Sequence, residues 1–595
     1  MPQRRVDDDQ LAVLLQKAAA WRDDDPDPRS RAELERLVAA AEGDGDRVAR
    51  AAGSPDPERI AQARTELADR FAGSLQFGTA GLRGALGAGP NRMNRAVVIR
   101  TAAGLAAWLR GHVPFTPHAV VGFDARRDSD VFAHDTAAVL AAAGVTVTVL
   151  PRPLPTPVLA FCVRHLGADA GVMVTASHNP AQDNGYKVYV GGRADSGPGQ
   201  GAQLVPPVDT QIAAAVAAVG PTLDVPMDPD GWTTLDDGIV ADYLDAAVGI
   251  VLPGGPRELE IVLTPLHGVG GGTVVEALRR AGFAAPYVVP QQADPDPTFP
   301  TVAFPNPEEP GAIDLALAAA RERGADIVIA NDPDADRCAV AVPDRRLDGR
   351  WRMLRGDEVG ALLGEHILTR AQPAPGAVVA SSVVSSELLA GIAAAHGVRH
   401  ETTLTGFKWI ARVPGLVYGY EEALGYCVAP RFVRDKDGIT AALVVAELAA
   451  RLAAERRTLI DALDDLALAH GVHATDQLSV RVADLALIEH AMASLRADPP
   501  DRLGDDGVTE IRDLARGGPV GSGAPLPPTE GLLYRTAGGG RVVVRPSGTE
   551  PKLKCYLEVV VPVGGGDADG LAAARAAAAR RLAAIKADLA SRLAL

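Results

Sequence analysis

Cysteine is scarce. The 595 residues hold four, Cys162, Cys338, Cys427 and Cys555, scattered and without a C-x-x-C pair. That pattern indicates neither a disulfide framework nor a zinc site, and it fits a reducing compartment. Positive charge is also short, with 59 Lys and Arg against 75 Asp and Glu and a formal net charge of −16. Nucleic acid is therefore disfavoured as the main partner, and an anionic small molecule needs a locally basic pocket. Long apolar runs are missing: the longest, 137–150, contains Gly and Thr, ends at Pro151 and is too short to span a bilayer. The opening M-P-Q-R-R-V-D-D-D-Q turns acidic where a signal peptide would become apolar. A cytoplasmic protein, neither exported nor membrane-spanning, is expected. There is no G-x-x-x-x-G-K-[ST] loop and no G-x-S-x-G elbow, which argues against ATP held by a P-loop and against a serine hydrolase.

What is present begins with length. A chain this long exceeds one hydrophobic core and suggests about four domains. Hydrophobic residues make up 47%, and Gly with Pro stays below the roughly 25–30% of low-complexity chains. The most informative stretch is A-G-V-M-V-T-A-S-H-N-P-A-Q-D-N-G-Y-K-V-Y, 170–189. Its apolar, β-branched run reads as a buried strand that delivers Ser177 to a loop. Open α/β sheets build their sites at such strand ends, so Ser177 is a candidate for covalent chemistry. A second apolar run, 326–330, ends in D-P-D-A-D-R, 332–337. Asp332, Asp334 and Asp336 suit a hard, oxygen-seeking divalent cation. An EF-hand is disfavoured because its sixth position would be Arg337 rather than Gly and its twelfth Pro343 rather than Glu. Magnesium fits better, because it takes few carboxylates and fills its shell with water and phosphate oxygens. Arg337 can grip such a phosphate with its planar fork, and a phosphorylated Ser177 would supply both a metal ligand and the group to be transferred. R-P-S-G-T-E-P-K, 545–552, combines the Arg545 fork with Ser547, Gly548 and Thr549, a composition suited to a phosphate nest.

T-A-S-H-N-P (175–180), D-P-D-A-D-R (332–337), G-Y-E-E-A-L-G-Y (419–426) and R-P-S-G-T-E-P-K (545–552), in that order, resemble the motifs of the α-D-phosphohexomutases, which include phosphoglucomutases and phosphomannomutases. The resemblance runs from about residue 77 onward. It implies a metal site of Ser177, Asp332, Asp334 and Asp336, with Arg83 of F-G-T-A-G-L-R-G beside the phosphoserine. Lys187 becomes a candidate general acid or base, and His178 and Asn179 support the loop. Arg337, Lys408, Glu421, Glu422, Arg545, Ser547, Gly548 and Thr549 would bind the substrate. Magnesium is the implied cofactor, with a hexose 1,6-bisphosphate as activator and intermediate. The implied reaction interconverts a hexose 1-phosphate and a hexose 6-phosphate. Many hexomutases place Ser where this chain has Ala423, and the E-E-A-x-G-Y form resembles the branch that includes phosphopentomutases. A pentose phosphate, or bisphosphate formation, is the alternative, and a non-catalytic phosphosugar sensor a distant one. The expected partner is a small phosphosugar, with no nucleic acid, membrane or obligate protein partner.

The expected architecture is α/β: three consecutive layered α/β domains followed by a smaller α+β domain, arranged as a four-domain cleft. The segments are a helical extension (1–70), domain I with the serine loop (71–225), domain II with the metal loop (226–350), domain III with the sugar loop (351–472) and domain IV with the phosphate loop (473–595). The extension shows helical spacing at Leu11, Leu14, Leu15 and Ala18 and again from Asp56 to Phe71, and is read as packing on domain I. Domain I reads as strand 119–123, helix 130–143, strand 145–150 and the serine strand, a largely parallel sheet. Two further features stay open: the charged 124–129 loop near the site, equally readable as solvated surface pairs, and His267, more simply a loop-packing residue.

Overall fold

The computed structural model describes residues 6–43, 57–76, 81–370, 373–482, 485–521, 523–547 and 552–593. The chain divides into two compact units, 1–241 with 267–269 and 294–309, and 242–266 with 270–293 and 310–595.

In the first unit, three helices precede the first sheet, Asp8–Asp24, Pro28–Glu42 and Pro57–Arg70. They bury Leu11, Ala18, Leu34, Ala41, Ala63 and Leu67 against Phe71 and Ala88. The helix Pro28–Glu42 escapes a reading by apolar periodicity because only Ser30, Leu34 and Ala41 of its 15 residues are buried. Arg70 ties the three helices to the sheet domain, bonding Glu33 at 2.7 Å and the Ala88 carbonyl at 3.2 Å. The expected helix start at Asp56 lies outside the described residues.

The first sheet runs Leu82–Ala85, Asp183–Val190, Ala170–Val174, His118–Phe123, Thr146–Val149 and Trp232–Thr234, with Ala202–Gln203 paired to Asp183–Val190. Its middle is parallel, but Asp183–Val190 runs antiparallel to both neighbours. The expectation of a largely parallel sheet is thus only half met. A parallel return needs a crossover of a dozen or more residues, and the eight residues between these strands allow only a reversal.

The second unit repeats this plan twice. One sheet places Ile327–Ala330 parallel to Ile261–Thr264 and antiparallel to Ala339–Asp344. Another places Val378–Ser382 parallel to both Arg399–Thr403 and Leu416–Glu421, and Leu416–Glu421 antiparallel to Gly425–Cys427. The fourth sheet is different: six antiparallel strands from Val472–Arg481 to Arg502–Leu503, with the helices Leu485–Ala497 and Ala568–Arg592. Leu495, Leu582, Ile585 and Leu589 join Val542, Val544 and Leu557 in one core. This is the expected α+β layout: strands in sequence, helices added. Among the described residues no helix is long and apolar enough to cross a membrane.

Candidate active site

Each of the first three sheets ends a buried parallel strand in a loop and resumes as an antiparallel strand. The loops are 175–182, 331–338 and 422–424, and they hold the candidate serine, the candidate aspartates and Glu422, with Glu421 at the end of the strand before the third. Each contains a non-glycine residue in the left-handed region, Ser177 (φ 52°), Ala335 (φ 54°) and Leu424 (φ 61°). Such conformations cost about 1–3 kcal/mol for residues with a Cβ and persist where the surroundings impose them.

Around Ser177 the imposing group is Arg126. Its guanidinium donates to four backbone carbonyls of the loop, Ser177 (2.6 Å), Asn179 (2.5 Å), Pro180 (2.8 Å) and Asp183 (3.0 Å). Asp124 lies 3.6 Å from it, with both side chains almost fully buried. Burial pushes the Asp124 carboxyl up, and the Arg126 charge opposes this. Solvated surface pairs are therefore excluded for these two residues, which form a buried clamp. The charged run D-A-R-R-D-S looks like surface, and only the tertiary fold shows that Arg126 turns inward. The Ser177 N–H donates to Thr175 Oγ1 at 2.9 Å, and Ser177 Oγ lies 3.1 Å from His178 Nδ1. Asn179 accepts from Arg83 at 3.0 Å and donates to Asp183 at 2.8 Å.

Arg83 pairs with Gly185 and Met173 with Lys187, so Arg83 and Lys187 lie diagonally on one face of the sheet. Lys187 is only 2% exposed. Gly185 has to be glycine: a Cβ there would stand 2.5 Å from the Thr175 carbonyl oxygen. Residues 77–80 of the glycine-rich turn lie outside the described residues. His267 meets Thr301 through Nε2 at 2.8 Å and is buried.

In the second unit, Asp332, Asp334 and Asp336 are buried, and each offers an oxygen within 4.8 Å of the others. Burial, then the charges of Asp334 and Asp336, push the Asp332 carboxyl well above its ordinary range. Three dry, mutually repelling carboxylates with an all-oxygen donor set fit a hard divalent cation. Arg337 anchors the loop, its N–H donating to Asp332 at 3.0 Å and its guanidinium to the Ala423 carbonyl at 2.7 Å. The guanidinium also lies 3.9 Å from both Asp332 and Asp336.

Lys436 is a residue that sequence reasoning missed, in a charge run, R-D-K-D-G, that reads as solvated. Its ammonium sits 3.2 Å from Asp336 and 3.6 Å from Asp435, and it is 7% exposed. Burial opposes its charge, but Asp336, Asp435 and Glu421 outweigh burial and raise its pKa. Glu421 closes the strand Leu416–Glu421, and burial raises its carboxyl against the pull of Lys436. The structure thus brings the aspartate loop, Arg337, Lys436 and the glutamate loop together.

Glu422 points elsewhere, accepting from Ser382 at 3.1 Å and Ser385 at 2.9 Å. Lys408 lies buried in the short helix Phe407–Ile410. Arg545 is on the strand Gly540–Pro546, near Tyr556, whose hydroxyl burial pushes up with help from the charges of Glu422 and Glu421 while the charge of Arg545 opposes this. The Ser547 N–H donates to the Lys552 carbonyl at 2.8 Å. Gly548 and Thr549 lie outside the described residues.

The four sheets and their loops correspond to a known series of domains. Residues 74–220, 241–346 and 355–467 match phosphoglucomutase/phosphomannomutase alpha/beta/alpha domains I, II and III, and 479–562 match the C-terminal domain. The chain belongs to the phosphoglucomutase/phosphomannomutase family and is a phosphosugar mutase, an isomerase that acts by intramolecular phosphotransfer. A Haemophilus influenzae protein named "Probable phosphomannomutase" is 45% identical over 469 residues, 78% of this chain and 93% of that one. A Mus musculus phosphopentomutase is 34% identical over 94% of this chain and 92% of its own. The solved structure of a phosphoglucomutase/phosphomannomutase family protein from Burkholderia thailandensis shares the fold, with a TM-score of 0.62 and 21% identity over 87% of this chain and 97% of that one.

Proposed function

We propose that the protein interconverts hexose 1-phosphate and hexose 6-phosphate, of glucose or mannose, through a phosphorylated Ser177 and a hexose 1,6-bisphosphate. The observation that carries this reading is the Ser177 loop, its backbone fixed by the Arg126 clamp and its hydroxyl bonded to an imidazole nitrogen. Phosphorylated Ser177 gives its phosphoryl group to the free hydroxyl of the bound monophosphate. The bisphosphate so formed turns over and returns its other phosphate to Ser177, so the P–O bonds made and broken balance over the cycle. Lys187 moves the proton of the attacking or leaving hydroxyl, Arg83 offsets charge beside the serine, and His178 and Asn179 hold the loop. Glu421 and Glu422 belong to the sugar site, and Lys408 meets the sugar phosphate. Arg337, beside the aspartates, grips the phosphate at the metal, and Arg545, Ser547, Gly548 and Thr549 take the phosphate that is not reacting.

Asp332, Asp334 and Asp336 would hold Mg2+ together with the phosphoserine, and the metal when bound offsets charge on the transferring oxygens. Exclusion of water from the bound sugar phosphate would limit hydrolysis of the phosphoserine. A cytoplasmic setting, and a small phosphosugar as the only obligate partner, complete the reading.

A second reading has its own support. Ala423 removes a hydroxyl from the sugar loop, and the mouse phosphopentomutase matches along nearly the whole chain. The substrate would then be a pentose 1-phosphate, with the same chemistry. Parallel assays on glucose, mannose and ribose 1-phosphates, with Mg2+ and a trace of hexose bisphosphate, distinguish the two. A kcat/KM at least tenfold higher for ribose 1-phosphate would replace the hexose reading, and loss of phosphate from Ser177→Ala protein by mass spectrometry would support the phosphoserine.

A further inference from the structure

The Glu422 carboxylate is occupied by the protein itself, and what occupies it is a turn held from the last domain. Ser385 Oγ donates to Glu422 Oε2 at 2.9 Å and accepts from the Glu422 N–H at 3.1 Å. Ser382 Oγ reaches the same carboxylate oxygen at 3.1 Å and lies 2.8 Å from Ser385 Oγ. Each hydroxyl has one proton to give, so the three contacts share two: Ser385 gives its proton to Glu422, and Ser382 gives its own to Glu422 or to Ser385 Oγ.

The turn carrying these serines is clasped from two sides. From the fourth sheet, Glu558 accepts from Ser386 Oγ at 2.5 Å, the Glu387 N–H at 3.0 Å and His473 at 2.9 Å. Arg541, bonded to Glu558 at 3.0 Å, donates to the carbonyls of Val383 and Ser385. Burial opposes the Glu558 charge, but Arg541 and His473 hold the carboxyl down at about 2, so Glu558 stays ionised. From the third domain, Asp357 accepts from the Ser386 N–H at 2.7 Å and from Tyr420 at 3.0 Å, on the strand that ends in Glu421. On the far side of the glutamate loop, Gly356 fits so closely that a Cβ there would lie 1.8 Å from the Glu422 carbonyl oxygen.

We infer that Ser385, seconded by Ser382, is a positioning residue for the sugar: it fixes Glu422 so that the adjoining Glu421 meets the vicinal hydroxyls of an aldose phosphate, and the Arg541–Glu558 pair fixes Ser385. This rests on the sugar-loop reading of Glu421 given above. Ser385 touches no reacting atom, so its loss should weaken substrate binding and spare the chemical step.

The test is steady-state kinetics of the full-length enzyme on glucose 1-phosphate at saturating Mg2+ and hexose bisphosphate, with Glu421→Ala alongside. Ser385→Ala is expected to raise KM about tenfold with kcat within about twofold of the parent, and Ser385→Thr, which keeps the hydroxyl, to restore KM to within about threefold. If Ser385→Ala does not fold, Ser382→Ala is read by the same split. An unchanged KM, a fall in kcat alone, or failure of Thr to rescue overturns the inference. Glu421→Ala then separates the two levels: a raised KM there leaves the sugar loop standing without Ser385, whereas an unchanged KM removes the sugar-loop reading as well.

Discussion

The serine loop and the aspartate loop are built alike and restrained differently. Both leave a buried parallel strand, bend through a left-handed residue and return antiparallel. The serine loop is held by a cation spent on backbone carbonyls, the four bonds from Arg126. The aspartate loop is held by cations spent on its carboxylates, Lys436 and Arg337. One mode fixes the main chain and leaves the side chain for chemistry. The other offsets charge that the site itself concentrates, and a bound divalent ion would complete that balance.

The sharpest way to break this contrast is Ser177→Ala. Turnover should fall at least about 10⁴-fold, while the melting temperature stays within about 2 °C because Arg126 holds the serine loop through its backbone carbonyls and not through the Ser177 side chain. Near-normal mutase activity would end the covalent reading.

Next comes Asp334→Asn, assayed with and without metal. Activity should fall about 10³-fold, as it should for the parent in chelator. In chelator the variant should melt about 2–4 °C above the parent, because one of three repelling buried carboxylates is gone. A lower melting point would show that Lys436 and Arg337 already over-compensate the loop.

Arg126→Lys keeps the charge and removes the fork. A shift of the loop by about 1 Å should cost about 100-fold in kcat, with about 3 kcal/mol of stability lost because buried carbonyls of the loop lose their donors. An unchanged kcat would mean that the loop holds its shape without the clamp.

The smallest effect belongs to a buried group outside both loops. Burial lowers His400 from its ordinary 6.5 to about 4, with Ser381 bonded to its Nε2 at 2.9 Å. Between those values the unfolded chain binds a proton that the folded one refuses, so stability is full above pH 6.5 and is lost as pH falls towards 4. Thermal melts of parent and His400→Gln at pH 7.5 and 4.5 should show the parent losing up to about 3 kcal/mol more. Equal losses would mean that His400 is protonated in the fold.

The sequence disclosed these loops where local chemistry changes abruptly, an apolar β-branched run meeting Ser177 or Asp332, because that junction needs no tertiary partner to be seen. It concealed the restraints. Arg126 and Lys436 sit in runs that look like hydrated surface, and only the packing of distant segments takes them out of water. The same holds for Ser385, whose meaning comes from Glu422, 37 residues away, and Glu558, 173 away. The antiparallel returns escaped for another reason: strand composition is blind to direction, which connection length decides. The helix Arg95–His112 has so wide a buried face that no narrow apolar stripe sets it apart in the sequence.

All four thiols are buried, and the fold allots one to each sheet domain: Cys162 in the helix Thr156–His165, Cys338 just before Ala339–Asp344, Cys427 on Gly425–Cys427 and Cys555 on Lys552–Val561. Burial pushes the thiols of Cys338 and Cys555 up to about 12, and that of Cys427 up as well. Alkylating reagents should therefore ignore the native enzyme and mark each domain only as it opens. Peptide mapping of the label over time would then read out, without engineered probes, the order in which the four domains come apart.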